Sequence, residues 1–360
     1  MDPLQIELPV RANEAASLAE VVFQVTEGRH LTDDLRHRAS GRADLLGLQT
    51  IVPHMGSLQA DPVHPNSFFV AIDAVRGGVA KPYLLRLAGA SAPSSGLFQK
   101  STLIGRMRPG GGREIVINAM PFATENREAI RTFAKEVDRM FLPRPSGTAF
   151  AVASPDADAF LAFRSLHHEA GLNAAALHVE WHEGVLRAIR AGWREGYTLP
   201  APTIRLTQDA DPIAAVIDVL GYTKIVLDVA ALPSDGSRVA MIGTAYDAAI
   251  RGNAAQQWSW KRPDLEVCWD SATEHTDPSE IEGLLQELRD SGRAAQCVGP
   301  KLDETNWQAA VEAIRAAGSV VRVSSSHPAL HEIARACSGR VYCVAEPGTD
   351  IRALVKLLRS

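Results

Sequence analysis

The sequence predicts an α/β chain, a (β/α)8 TIM barrel preceded by a smaller α+β domain. From about Ile115 to the C-terminus, short β-branched runs alternate with amphipathic helical stretches, the runs number eight, and four successive helices carry matched start and stop signals. Eight parallel strands, each followed by a helix, make a closed barrel, whose strands are short and apolar because both faces are covered. At 360 residues and 46% hydrophobic composition the chain has room for such a barrel and a second unit, at roughly 250 and about 100 residues respectively.

The N-terminal part reads differently. Phe68–Val75, Pro82–Leu87 and Thr102–Met107 are expected strands of a small sheet, separated by Arg76-Gly77-Gly78 and by the Pro/Ser/Gly stretch Ala92–Gly96. No long helical period follows them. Residues 1–110 are therefore expected to form the α+β domain and 111–360 the barrel, joined near Pro109–Gly112, where a proline and three glycines interrupt the pattern.

The barrel strands are expected at Ile115–Asn118, Ala149–Ser154, Thr203–Gln208, Lys224–Val229, Leu265–Asp270, Ala294–Lys301, Ser319–Ser326 and Val341–Glu346. Between them, Asp211-Pro212 and Gly221 bracket one helix, and Asp277-Pro278-Ser279-Glu280 opens another whose inward stripe is Leu284, Leu285 and Leu288, ending at Gly292. Trp307, Ala310, Val311 and Ile314 repeat at helical spacing up to Gly318, as do Leu330, Ile333, Ala334 and Cys337 up to Gly339. No G-x-G-x-x-G opens any of these helices, so neither a nicotinamide nor a flavin cofactor is expected.

Net charge is −5 with no Lys/Arg block, so nucleic acid and anionic membrane are not expected partners. The start lacks a basic and apolar leader, and no run is long enough to span a bilayer, so a cytoplasmic protein is expected. Cys268, Cys297, Cys337 and Cys343 show no C-x-x-C spacing and read as reduced thiols.

Barrel chemistry sits where strands end. Glu266, Cys268 and Asp270 share one parity and face one side of the sheet, with Leu265, Val267 and Trp269 on the other. A buried carboxylate is costly unless paired or used, so Glu266 is either catalytic or in an ion pair with Arg322 or Arg205. Asp270, at the mouth, is the candidate base. Asp228 ends its strand as a catalytic group or a loop cap. Lys301 suits a base, a Schiff-base nucleophile or, beside Asp270 or Asp228, a charged oxyanion stabiliser. Ser324, Ser325 and Ser326 before one helix, and Gly348 and Thr349 before the last, suit an anion site at helix N-termini, or ordinary caps. His178 and His182 are one helical turn apart and either chelate a cation or edge a packed stripe. In the N-terminal domain His54, His64, Lys100, Arg106 and Arg108 are candidates to reach the barrel mouth.

Several patches of the second half resemble the tagaturonate epimerase family of barrel proteins. They are Trp193 with Glu195-Gly196-Tyr197, Leu265-Glu266-Val267-Cys268-Trp269-Asp270, the Val321–Ser326 strand, and Ala345-Glu346-Pro347-Gly348-Thr349-Asp350. The resemblance implies a metal-dependent enzyme that inverts a hydroxyl-bearing carbon of a keto sugar acid. Where the family has Asp-Ala-Asp-His this chain has Arg205-Leu206-Thr207-Gln208, and the family's Leu-His-Ser falls on Val323-Ser324-Ser325. Of the metal ligands the resemblance implies, Glu266 is kept, with Asp270 nearby.

The leading expectation is an isomerase or epimerase acting on a sugar acid, sugar phosphate or similar polyhydroxylated anion by proton transfer next to a carbonyl. Alternatives are an aldolase-type lyase using Lys301 and a non-catalytic barrel for binding or assembly. A divalent metal on Glu266 and Asp270, and homo-oligomerisation, are left open.

Overall fold

The computed structural model describes residues 10–27, 29–61, 64, 66–92, 101–126, 130, 133, 151–156, 158–170, 173–176, 180–193, 197–256 and 262–359. The chain divides into two compact units, Met1–Arg139 with Ala188–Gly192, and Met140–Arg187 with Trp193–Ser360.

In the first unit, helices α1 (Ala12–Thr26) and α2 (Asp33–Asp44) precede strands β1 (Ile51–Ala60), β2 (Phe68–Arg76), β3 (Val79–Gly89), β4 (Thr102–Met107) and β5 (Ile115–Pro121). The sheet is antiparallel in the order β1-β2-β3-β5-β4. Gly77 and Gly78 turn β2 into β3 at φ 58° and 80°, the positive values a tight hairpin demands at both central positions. Glu14 ties the start of α1 to the approach to β1 by accepting from the Gln49 and Thr50 N–H groups at 3.0 and 2.8 Å. Leu18 and Val22 of α1, Leu35 of α2, and Leu58, Ile72, Leu85 and Ile117 of the sheet belong to one apolar core.

The strand expected to open the barrel, Ile115–Asn118, belongs here as β5. Ile117 pairs with Leu87 of β3 and with Gly105 of β4. Burial alternates along its first half, with Ile115 and Ile117 inward, which is the period of a strand packed on one face rather than two. The glycines taken as a domain join form the β4–β5 turn, where Gly110 and Gly111 have φ 54° and 76°. The first unit therefore continues past residue 110.

In the second unit the described strands form one parallel sheet in the order β8-β7-β6-β14-β13-β12-β11-β10-β9. They are β6 (Ala151–Ser154), β7 (Asn173–Ala176), β8 (Tyr197–Thr198), β9 (Ile204–Arg205), β10 (Lys224–Asp228), β11 (Asp264–Cys268), β12 (Cys297–Gly299), β13 (Val320–Ser324) and β14 (Val341–Val344). The two edge strands, β8 and β9, follow each other in the chain. Leu199 and Ala201 already bond alongside β10, through Thr223 N–H to Leu199 O at 3.1 Å and Ala201 N–H to Lys224 O at 2.8 Å. The architecture is TIM-barrel-like. Seven expected runs supply seven of these strands; β7, with the sequence Asn-Ala-Ala-Ala, and the two-residue β8 were not among them.

The expected helices lie between these strands at Pro212–Ile217, Pro278–Asp290, Trp307–Ala316 and Leu330–Ala336. Asp277 caps the second by accepting from Ser279 N–H at 2.9 Å, and Ile281, Leu284, Leu285 and Leu288 are its buried stripe. Trp269 Nε1 donates to Glu280 Oε1 of that helix at 3.2 Å. The odd-numbered side of β11 therefore faces helices and the even-numbered side faces the concave interior. Among the described residues no helix is long and apolar enough to cross a membrane.

Candidate active site at the carboxyl ends of the parallel strands

The concave face carries charges where an ordinary sheet carries aliphatic side chains. Glu266, 1% exposed, accepts from Lys224 Nζ at 3.0 Å through Oε2 and faces Arg322 Nε at 3.2 Å through Oε1. Lys224 Nζ lies 3.5 Å from the Tyr342 ring centroid, a cation–π contact. Arg322 runs along β13 to the strand ends, where Nη2 donates to Asp270 Oδ1. The Arg322 side chain lies across Gly299, where an added Cβ would come within 2.4 Å of Nε. Two cations and two carboxylates cancel, and so the buried members persist.

Burial alone would raise the Glu266 carboxyl, but Lys224 and Arg322 outweigh it and hold the group below the ordinary carboxylate range. Burial opposes the charge on Lys224, yet its surroundings keep it protonated above the usual range. Cys297 and Tyr342 beside it are themselves pushed up by burial and stay neutral, so Glu266 is the anion that acts on it.

At the strand ends a cavity of about 340 Å³ is lined by Trp269, Asp270, Lys301, Arg322, Ser324 and His327, among others. Lys301 Nζ donates to Ala272 O at 2.6 Å. His327 Nδ1 accepts from Ala329 N–H at 3.1 Å, which leaves the proton of the neutral ring on Nε2. That Nε2 is buried and has no partner among the described residues. Burial lowers the His327 pKa, so the ring stays neutral near pH 7.

The other expected site residues have visible partners. Asp228, 2% exposed, accepts from Ala230 N–H at 3.1 Å and Ser271 N–H at 2.9 Å, which is a loop cap. Ser324 Oγ donates to Glu346 Oε1 at 2.7 Å, and Ser326 Oγ reaches the same oxygen at 3.4 Å. Ser325 Oγ accepts from Glu346 N–H at 3.0 Å and meets Thr349 Oγ1 at 3.4 Å, while Gly348 N–H donates to Asp156 Oδ2 at 3.1 Å. Of the groups expected to hold a ligand anion at these two loops, Ser324, Ser326 and Gly348 thus engage the chain's own carboxylates, while Ser325 and Thr349 bond the Glu346 backbone. The two loops meet at these contacts.

His182 and Glu183 open the helix Trp181–Arg190, with Glu183 paired to Arg187 at 2.8 Å. In the first unit His54 pairs with Asp73 at 2.9 Å and Arg106 with Glu114 at 2.8 Å. His178, Lys100, Glu195 and Gly196 lie outside the described residues.

The donor set does not suit a metal ion. Both Glu266 oxygens face cations, Asp270 is held by the other end of the Arg322 guanidinium, and among the described residues no three His, Cys, Asp or Glu side chains group as ligands. All four cysteines are buried thiols, with Cys337 and Cys343 pushed by burial to about 11 and about 12.

Lys224, Tyr342 and His327 were not assigned roles from sequence. The parity of Lys224 with Val226 and Asp228 was the available signal, since it places a lysine on the inward side of a central strand. Arg322 was named, as the partner of Glu266 that it proves to be.

No family model matches the sequence, and no curated protein matches it. Among solved structures, the glycerol complex of fructuronate-tagaturonate epimerase UxaE from Cohnella laeviribosi aligns over 86% of this chain and 75% of its own, with 13% identity and a TM-score of 0.53. Its native structure aligns over the same shares at 12% identity and a TM-score of 0.50. The resemblance is weak and is one of fold.

Proposed function

We propose that the strand ends form the active site of an isomerase or epimerase that moves a proton at the carbon next to a carbonyl, on a sugar acid, sugar phosphate or similar polyhydroxylated anion. The observation that carries this reading is one cavity lined by a carboxylate, a neutral imidazole donor and two cationic side chains, Asp270, His327, Lys301 and Arg322. The reading includes a barrel closed through residues 199–203, with this cavity at its mouth.

Such a reaction needs a base at the C–H and a donor at the oxygen that becomes an enolate. Asp270 is the base. Arg322 holds Oδ1, which orients the carboxylate and leaves Oδ2 to take the proton. Glu266 and Lys224 fix Arg322 from below. His327 donates Nε2–H to the substrate oxygen, a role in which a neutral imidazole is effective. Lys301 adds positive potential that draws an anionic substrate. Release of that proton to solvent and addition of a solvent proton to the opposite face gives an epimer; its return from Asp270 to the former carbonyl carbon, with the neighbouring hydroxyl proton passing to the carbonyl oxygen, gives an isomer.

The fold likeness to an epimerase of keto sugar acids supports these compounds as the first substrates to try, by analogy alone. A Schiff-base lyase is less well supported, because Lys301 Nζ is engaged by carbonyl oxygens. Asp270→Asn keeps size and removes basicity. It is expected to lower turnover of a keto sugar acid by about 10²- to 10⁴-fold with little change in KM. Wild-type turnover in this variant, together with borohydride trapping of substrate on Lys301, would replace the reading with the lyase.

A further inference from the structure

The concave face holds a second, smaller cavity below the mouth. It measures about 50 Å³ and is lined by Thr203, Val226, Glu266, Arg322, Tyr342 and Val344, among others. Arg322 and Val344 also line the larger cavity above. Tyr342 is 5% exposed and its hydroxyl has no hydrogen-bond partner among the described residues. A buried hydroxyl is rarely left so, and a space of this size holds at least one polar atom's worth of guest.

Arg322 has donors to spare. Nε faces Glu266 and Nη2 bonds Asp270, while Nη1 meets no described acceptor. Its seat is specific, because at position 299 any side chain would collide with the guanidinium, which its two carboxylate partners prevent from swinging away. A divalent ion at Glu266 would sit beside two fixed cations. The resemblance to a metal-dependent family and the donor set of this chain therefore disagree.

We propose that Arg322 is the fixed cation of this site in place of a metal ion, and that its free N–H groups and the Tyr342 hydroxyl hold one oxygen of a hydroxy-acid ligand in the inner cavity. The inference rests on reading the mouth as a ligand site. It makes Gly299 a positioning residue, since it acts through Arg322.

Glycolate, a minimal hydroxy acid, is the probe, added at tens of millimolar to the full chain in chelator-treated buffer and followed by ligand-observed NMR. Wild-type protein is expected to bind it without metal. Tyr342→Phe keeps the ring over Lys224 and removes one hydrogen bond, so affinity should fall by up to about tenfold. Gly299→Ala should abolish binding, and calorimetric titration with Mn²⁺ or Zn²⁺ should show no stoichiometric uptake. Absence of glycolate binding, equal binding by wild type and Tyr342→Phe, or one-to-one metal uptake that Glu266→Gln abolishes would each overturn the proposal. A keto sugar acid turned over only with added metal overturns this inference and leaves the proposed reaction standing. Metal-free glycolate binding without turnover of any substrate does the reverse.

Discussion

The two sheets bury their inner faces in opposite ways. Beneath α1 and α2 the antiparallel sheet buries Leu58, Val70, Ile72, Leu85 and Ile117 in a wholly apolar cluster. The parallel sheet clusters Ala153, Ala175, Cys297 and Tyr342 on its concave side, next to buried Lys224 and Glu266. An aliphatic face stabilises through area and close packing, and tolerates the loss of any one member at a graded cost. A charged face holds only while each charge keeps its partner. What it provides in return is a set of fixed charges aimed at one end of the strands, which is what a reaction site needs and a structural core does not.

Single substitutions should separate the two. Lys224→Met leaves Glu266 with Arg322 alone and should destabilise by about 3–5 kcal/mol. Adding Glu266→Leu should recover much of that loss, which urea denaturation of the single and double variants would reveal. Leu85→Ala, in the apolar face, should cost about 2–5 kcal/mol. Because Leu85 shares no partner with Lys224, its cost should add to that of Lys224→Met within about 0.5 kcal/mol. A large coupling would mean that the faces are not independent.

The pH dependence should also differ. Glu266 is held below its unfolded value of about 4.3. Its contribution is therefore complete above that pH and lost as pH falls through the folded value. The stability gap between wild type and Glu266→Gln should narrow below about pH 4, whereas that between wild type and Leu85→Ala should not. Smallest in stability is His327→Gln, about 1 kcal/mol for the lost bond from Ala329 N–H. Its expected effect is on turnover, about 10²-fold, as for loss of a donor to a developing oxyanion.

Legibility from sequence divides along the same line. The helices with Asp-Pro starts and glycine stops were readable because caps are local chemistry, as Asp277 and Gly292 illustrate. The strand Ile115–Pro121 was readable as a strand and misplaced, since a short β-branched run does not reveal which sheet will pair with it. The strand Asn173–Ala176 carried no β-branched residue to announce it. Within the site, parity puts Glu266 and Asp270 on one side of the run Leu265–Asp270, and both meet Arg322 although the strand itself ends at Cys268. The hydroxyls of Ser324 and Ser326 looked available for an anion; only three-dimensional proximity brings Glu346 to them.

The central claim is that the charged face ends in a site for proton transfer next to a carbonyl. The most direct test is proton NMR of keto sugar acids incubated with the wild-type chain in D₂O. The account predicts deuterium at the carbon next to the carbonyl, with epimer or isomer appearing alongside, and neither with Asp270→Asn. Product formed without deuterium at that carbon, or incorporation as fast in Asp270→Asn as in wild type, would contradict it.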